Sequence, residues 1–171
     1  MAPVEHLEGT LAQHLIPSLV RLLQDAVHSG ASVGFLAPLP AEDAERYWAQ
    51  VLTKVHEGTL ALLAVREGDE VLGAVQLRLD TPPNGCHRAE VQKLFVHTAY
   101  RRRGIAKALM AALEMAAREA GRTLLVLDTS GDDAVCLYVQ IGYNRAGVIP
   151  QYALSSDGVL EATQLFYRLL A

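Results

Sequence analysis

Val91-Gln92-Lys93-Leu94-Phe95-Val96, followed shortly by Arg101-Arg102-Arg103-Gly104-Ile105-Ala106-Lys107, is the most informative stretch of this chain. The first piece reads as a strand that is apolar on both faces at Leu94, Phe95 and Val96, as a strand inside a sheet would be. The second is a basic turn that opens a helix at a glycine. A helix N-terminus leaves backbone N–H groups unpaired and carries partial positive charge, so it holds phosphate. Gly104 permits close backbone approach and Ala106 keeps the first turn uncluttered. Arg101, Arg102, Arg103 and Lys107 add charge at the same end. In a chain of net charge −4 this cluster points to a local polyanion site. The pattern GxxxxGKS/T is absent, which excludes a P-loop, and the absence of GxGxxG disfavours a dinucleotide fold. From the turn alone, a solvated basic turn ahead of an ordinary helix stays open.

Working outward, Gly104 to Ala120 reads as a helix with Leu109, Ala112, Leu113 and Ala116 on one face, stopped by Gly121. Leu124 to Asp128 is a buried strand. Asp132 or Asp133 caps a short helix to Ile141. Strands at about Arg145–Ala153 and Leu160–Leu169 flank the turn Ser155-Ser156-Asp157-Gly158. Upstream, a short strand at Val4–Glu8 leads to a helix with Pro17 in its first turn. Its apolar face is Leu19, Leu22, Leu23, Ala26 and Val27. Ser29 to Pro40 is too apolar for a linker and reads as an ordered loop near a site. Pro40 opens a second helix with Ala44, Tyr47, Trp48, Val51 and Val55 as its stripe. Strands Thr59–Arg66 and Val71–Leu79 form a hairpin, and Ala89–Val96 follows the turn at Thr81–Gly85. The order β-α-α-β-β-β-α-β-α-β-β predicts a mixed, mostly antiparallel sheet with helices on both faces.

The 171 residues amount to one domain, 1–171, at roughly 150 residues per domain. Apolar residues make up 51% and charged residues 20%, which excludes a disordered chain. The acidic balance speaks against general nucleic-acid binding. Cys86 and Cys136 lie too far apart for a CxxC motif and read as small core residues. Six scattered histidines without HExxH give no metal site. The first residues, MAPVEHLEGT, lack the basic flank and apolar run of a signal peptide, and no apolar run is long enough to span a membrane. The expected compartment is the cytoplasm.

Arg101-x-x-Gly104-x-Ala106 behind a strand ending in Leu94-x-Val96 resembles the acyl-CoA signature of the GNAT acetyltransferases: Arg or Gln, two residues, Gly, one residue, then Gly or Ala. The element order is similar to that fold along nearly the whole chain. Ala134-x-x-Leu137-Tyr138-x-x-Ile141-Gly142-Tyr143 resembles the family's second motif. His28-x-Gly30-Ala31-Ser32-Val33-Gly34-Phe35, Asn84-Gly85, Arg88 to Leu94 and Leu127-Asp128-Thr129 are similar to toxin-resistance members of the family. The resemblance implies an α/β (α+β) GNAT fold of about seven strands and about four helices. Two central strands would splay to hold acetyl-CoA as cosubstrate, with no metal. It further implies that Leu94, Phe95 and Val96 line the cofactor and that Leu94 and Val96 pair its amides. Arg101 would border the cofactor, and backbone N–H groups of Arg102, Arg103, Gly104, Ile105, Ala106 and Lys107 would hold its pyrophosphate. A backbone N–H near Leu94 would polarise the thioester carbonyl.

In the same frame Tyr138 is the candidate acid, since tyrosine stays protonated at neutral pH and can donate. Glu90 and Asp128, carboxylates on the two cleft strands, are the candidate bases, acting through water. The plainer alternatives are an ion pair of Glu90 with Arg88 or Lys93, and a turn or cap of Asp128 with Thr129 and Ser130. Strict alternation puts Glu90, Gln92, Leu94 and Val96 on one face, unless a bulge intervenes. Ser32, Gln92, Gln151 and Tyr152 are candidates for the acceptor pocket. The expected activity is N-acetylation of a small-molecule amine, next to a lactam or amino-acid framework, by a monomer or homodimer. A protein N-terminus or lysine as acceptor, and a non-catalytic CoA-binding module, are the alternatives.

Overall fold

The computed structural model describes residues 2–170. One seven-stranded sheet runs through it: β1 (Val4–His6), β2 (Leu60–Glu67), β3 (Glu70–Arg78), β4 (Arg88–Val96), β5 (Leu124–Thr129), β6 (Asn144–Leu154) and β7 (Leu160–Leu169). The strand order is β1-β2-β3-β4-β5-β7-β6. Every neighbouring pair is antiparallel except β4 with β5, which is parallel. On one face pack α1 (Gly9–His14), α2 (Ile16–His28) and α3 (Ala41–His56), with Trp48 and Phe95 at the centre of that core. On the other lies α4 (Ile105–Glu119), whose Leu109 and Leu113 are fully buried against β2 to β5. The mixed sheet and its two helical layers follow the expectation from element order.

The stripe Leu19, Leu22, Leu23, Ala26 and Val27 is buried throughout, each large side chain contributing about 1.5–3 kcal/mol. Sequence periodicity did not register α1. Pro17 has no N–H and its ring would crowd the carbonyl of Gln13, so one helix cannot run from Gly9 to His28. The chain breaks at Leu15, which ends α1 and starts α2, and there are five α-helices among the described residues instead of four. The fifth, α5 (Asp132–Gln140), is preceded by Gly131 at its N-cap; Asp132 and Asp133 lie in its first turn and do not cap it. Cys86 and Cys136 are both exposed, so neither is a core residue. Gly73 on β3 is required by close approach: a Cβ there would meet Phe95 O and Ile105 Cγ2, both at 2.9 Å.

Strict alternation fails on β4. Ala74 pairs Phe95 but Gln76 pairs Gln92, so β4 holds one extra residue there, and Lys93 sits at φ +53°. This is a β-bulge, and it turns over every side chain beyond it. Ala89 and Val91 face α4, yet Phe95 faces α2 and α3, while Leu94 and Val96 return to the α4 side. Glu90 and Gln92 therefore do not share a face with Leu94 and Val96.

Candidate active site

The parallel pairing of β4 with β5 covers Arg88↔Leu124, Ala89↔Leu125 and Glu90↔Val126, and then stops. Beyond it β4 bulges and runs on to Val96, while β5 turns off toward Thr129. The two strands splay, leaving a strand edge open inside the sheet, a ready partner for an extended polyamide ligand. From this gap a cleft of about 650 Å³ runs toward the N-terminus of α4. That is the size class of a small-molecule site.

Its walls come from α2, β4, the basic turn, α4 and α5. Leu94, Phe95, Val96, Arg101, Arg102, Gly104, Ile105, Ala106 and Lys107 all line it. Arg103 does not; its guanidinium stacks 5.2 Å from the Tyr100 ring and donates to Ala99 O. Arg102 and Gly104 both have left-handed backbone, at φ +64° and +82°. Such a turn gathers successive N–H groups into an anion-binding concavity. The first closed bond of α4 is Ala108 N–H to Gly104 O, 3.0 Å, so the N–H groups ahead of it have no helical partner. Arg101 donates to Ser29 Oγ (2.8 Å) and Val96 O (3.2 Å), which ties the turn to the end of α2. Arg102 faces Asp133 across the cleft at 3.7 Å, an exposed pair worth little. The cleft face of α5 includes Ala134, Cys136, Leu137 and Gln140.

Tyr138 is on α5 but turned inward, 5% exposed, with its ring 5.6 Å from Tyr143 and 5.9 Å from Phe166. Burial, and secondarily the Asp128 charge, push its hydroxyl far above the ordinary tyrosine range. It is a neutral donor at any physiological pH. Asp128 is the penultimate residue of β5; its Oδ2 accepts from Thr163 Oγ1 of β7 at 2.9 Å. Its partner is thus a neighbouring strand, not the turn at Thr129 and Ser130. Glu90 is paired neither with Arg88 nor with Lys93: Oε2 accepts from Arg78 at 3.0 Å and Oε1 from Gln92 at 2.8 Å. Both its oxygens are engaged, and Gln92 serves as its partner. Below this group the buried Gln76 donates to Tyr47 OH at 2.8 Å; burial raises the Tyr47 hydroxyl to about 12.

Ser32, Asp128 and Tyr152 come together in a small recess that also includes Thr163 and Glu161. Gln92 lies outside it. Lys93, which spacing did not single out, sits at the bulge and does not line the recess, but reaches the residue next to Ser32. Its Nζ donates to Val33 O at 2.5 Å and anchors the Ser29–Pro40 loop onto β4. The same loop is tied to the last hairpin by Ala37 N–H to Ser156 O, 2.9 Å. A lysine inside an apolar strand was the one visible signal. Among the described residues, no cluster of three or more His, Cys, Asp or Glu is gathered as for a metal ion, and no helix is long and apolar enough to cross a membrane.

Known proteins share this architecture. The chain is 36% identical over 83 residues to N-acetyltransferase 8F1 of Rattus norvegicus, a match covering 47% of this chain and 38% of that protein. The chain therefore spans well under half the length of the curated relatives it matches. The ribosomal-protein-alanine N-acetyltransferase of Brucella melitensis superposes with a TM-score of 0.79 at 21% identity, over 98% of this chain and 99% of that one. An acetyltransferase of Salmonella typhimurium, solved with its cofactor acetyl-CoA, superposes at 0.80 and 14% identity, over 100% of this chain and 95% of that one. These structures share the fold. The model of the acetyltransferase (GNAT) family matches residues 21–143, a span that takes in the splayed strands, the basic turn and α5 through Tyr143. By that match the chain belongs to the GNAT family of acetyltransferases.

Proposed function

We propose that this protein transfers an acetyl group from acetyl-CoA to the primary amine of a small molecule in a ternary complex. The observation that carries the reading is a single cleft joining an open strand edge at Leu94–Val96 to a left-handed turn at a helix N-terminus. A long ligand with an amide arm and a diphosphate end needs both features, in that order along the cleft. The residues fit it: Arg101, Arg102 and Lys107 supply positive charge at one end, and Leu94, Val96 and Leu137 an apolar wall near the other. When bound, acetyl-CoA supplies an acyl carbon activated as a thioester.

The roles of this chain's groups follow from position and charge. N–H groups from Arg102 to Lys107 hold the pyrophosphate. Main-chain groups of Leu94 and Val96 pair with the amide arm, and an N–H at the bulge polarises the acyl carbonyl. Asp128, through water, takes the proton the acceptor amine sheds as its bond to carbon forms. Glu90, with both oxygens engaged, supports that water network less directly. Tyr138 supplies the proton the departing thiol needs, and solvent restores it.

The loop and the last hairpin, joined at Ala37 and Ser156, wall one side of the acceptor recess. This favours a small acceptor over a peptide, which needs an open groove on both sides. Sequence likeness around His28–Phe35 and Arg88–Leu94 to a tabtoxin resistance acetyltransferase favours an amine beside a lactam or amino-acid framework, including toxins and antibiotics. The test is a thiol-release screen with acetyl-CoA over amino acids, dipeptides, lactam antibiotics, aminoglycosides and polyamines. Turnover with small amines is expected. Acetyl-CoA binding without turnover of any amine would leave only a CoA-binding module.

A further inference from the structure

Of the walls of the large cleft, α5 has the least of its own to hold it in place. It has nine residues, of which Tyr138 alone is buried, and a helix this short does not persist by itself in water. Asp132 and Asp133 in its first turn suit the positive helix end, but its last turn carries no basic residue to offset the open carbonyls there. Yet Ala134, Cys136, Leu137 and Gln140 line the cleft, so the position of this helix sets how wide the cleft is.

The group that α5 lacks comes from β7. Phe166 and Arg168 lie two residues apart on one face of that strand, paired with Leu127 and Leu125 of β5 in the α4-side core. Phe166 packs on the Tyr138 ring at 5.9 Å. The Arg168 guanidinium donates to Ile141 O at the C-terminal end of α5 and lies 5.7 Å from the centre of the Tyr143 ring. The same nitrogen donates to Glu114 Oε1 of α4 at 2.9 Å. The Glu114 side chain is only 10% exposed. Burying a carboxylate in a helix is costly, and pairing it with an arginine adds little net stability. What the pair does supply is direction. A planar guanidinium bonds along fixed axes, so the end of α5 is held at a set place relative to α4. The N-terminus of α4 is the anion-binding end of the same cleft.

We infer that Arg168 and Glu114 brace α5 against α4 and thereby shape the part of the cleft that takes the amide arm of acetyl-CoA. Neither side chain lines the cleft, so both are positioning residues that act through α5. The inference rests on the acetyl-CoA reading of the cleft and adds to it two residues remote from the ligand. Leu137 and Ala134 line the cleft together with Leu94 and Val96, the strand edge that would pair with the arm. The diphosphate end depends instead on the turn before α4, which the brace does not touch.

The experiment measures two ligands by calorimetry: acetyl-CoA, and 3′-phospho-ADP, which keeps the diphosphate end and lacks the amide arm. In the unaltered protein acetyl-CoA should bind at least about tenfold tighter, because only it fills the space between α5 and β4. Arg168→Met should weaken acetyl-CoA at least about fivefold, the scale of one hydrogen bond to a charged group, and shift 3′-phospho-ADP less than about twofold. Arg168→Lys, whose ammonium can still reach a carboxylate and a carbonyl, should restore part of the loss. Urea unfolding accompanies each variant. If Arg168→Met does not fold, Glu114→Gln, which keeps an acceptor for Arg168 and removes the charge, must show the same selective loss in smaller measure. Equal weakening of both ligands would make the pair a support of the whole fold, and no weakening of either would show that α5 keeps its place without it; each result overturns the inference. If the unaltered protein binds the two ligands alike, the arm is not held between α5 and β4, and the inference falls while the anion site stands. If it binds neither, the acetyl-CoA reading itself falls.

Discussion

Replacing Tyr138 with Phe separates chemistry from structure at this site. The ring packs on Tyr143 and Phe166, and Phe keeps all of that packing. The hydroxyl has no hydrogen-bond partner among the described residues, so its removal leaves none orphaned. The stability change should stay below about 1 kcal/mol, the scale of one ordinary hydrogen bond. If the hydroxyl protonates the leaving thiol, kcat should fall by about 10²–10⁴-fold, equivalent to roughly 3–5 kcal/mol of barrier. Acetyl-CoA affinity should hold. The assay is single-turnover transfer with a good acceptor, alongside urea unfolding and calorimetry with acetyl-CoA. The pH profile adds an independent check. Because the folded protein favours the neutral phenol, kcat should show no falling limb from Tyr138 below pH 10. For the same reason, this tyrosine's contribution to stability is fully present below its unfolded value of 10.0 and is lost as pH rises toward its folded value. A Phe variant with near-normal kcat while chemistry limits the rate would make Tyr138 a packing residue and leave the thiolate to depart unaided.

Gly104→Asp puts a side chain at φ +82° and a negative charge where phosphate must approach, so acetyl-CoA affinity should weaken by at least about tenfold by calorimetry. Unchanged affinity would remove the anion site from the turn. Asp128→Asn should lower kcat/KM more than Glu90→Gln, because both Glu90 oxygens already hold partners, and both deficits should shrink at high pH as free amine becomes abundant. A deficit that persists at high pH would assign these groups to holding the acceptor's charge, and the double variant should lose less than the product of the singles if one water network is shared. Gly73→Ala should cost about 1–3 kcal/mol by chemical denaturation, since Phe95 O and Ile105 at 2.9 Å must move. A neutral result would show that β3 and the start of α4 have room the geometry denies them.

Local sequence already determined much of this protein. Apolar period placed α2, α3 and α4 and their buried stripes, because a helix face is written at fixed spacing whatever it packs against. Turn residues set the last hairpin, and Leu160–Leu169 ends where the pattern ends. The basic turn was legible because a helix N-terminus, its glycine and its charges are contiguous. Tertiary structure alone decided the rest. The bulge at Lys93 depends on how β3 pairs with β4, and it turned Leu94 and Val96 away from the face of Glu90 and Gln92 against a strict count of alternation. The partners of Glu90 and Asp128 come from Arg78 on β3 and Thr163 on β7, side chains brought near only by cross-strand register. The exposure of Cys136 was likewise set by which face of α5 borders the cleft. Spacing along the chain encodes the direction a side chain takes from its own element. What it meets there depends on contacts between residues distant in sequence, and the acceptor recess is built almost wholly from those.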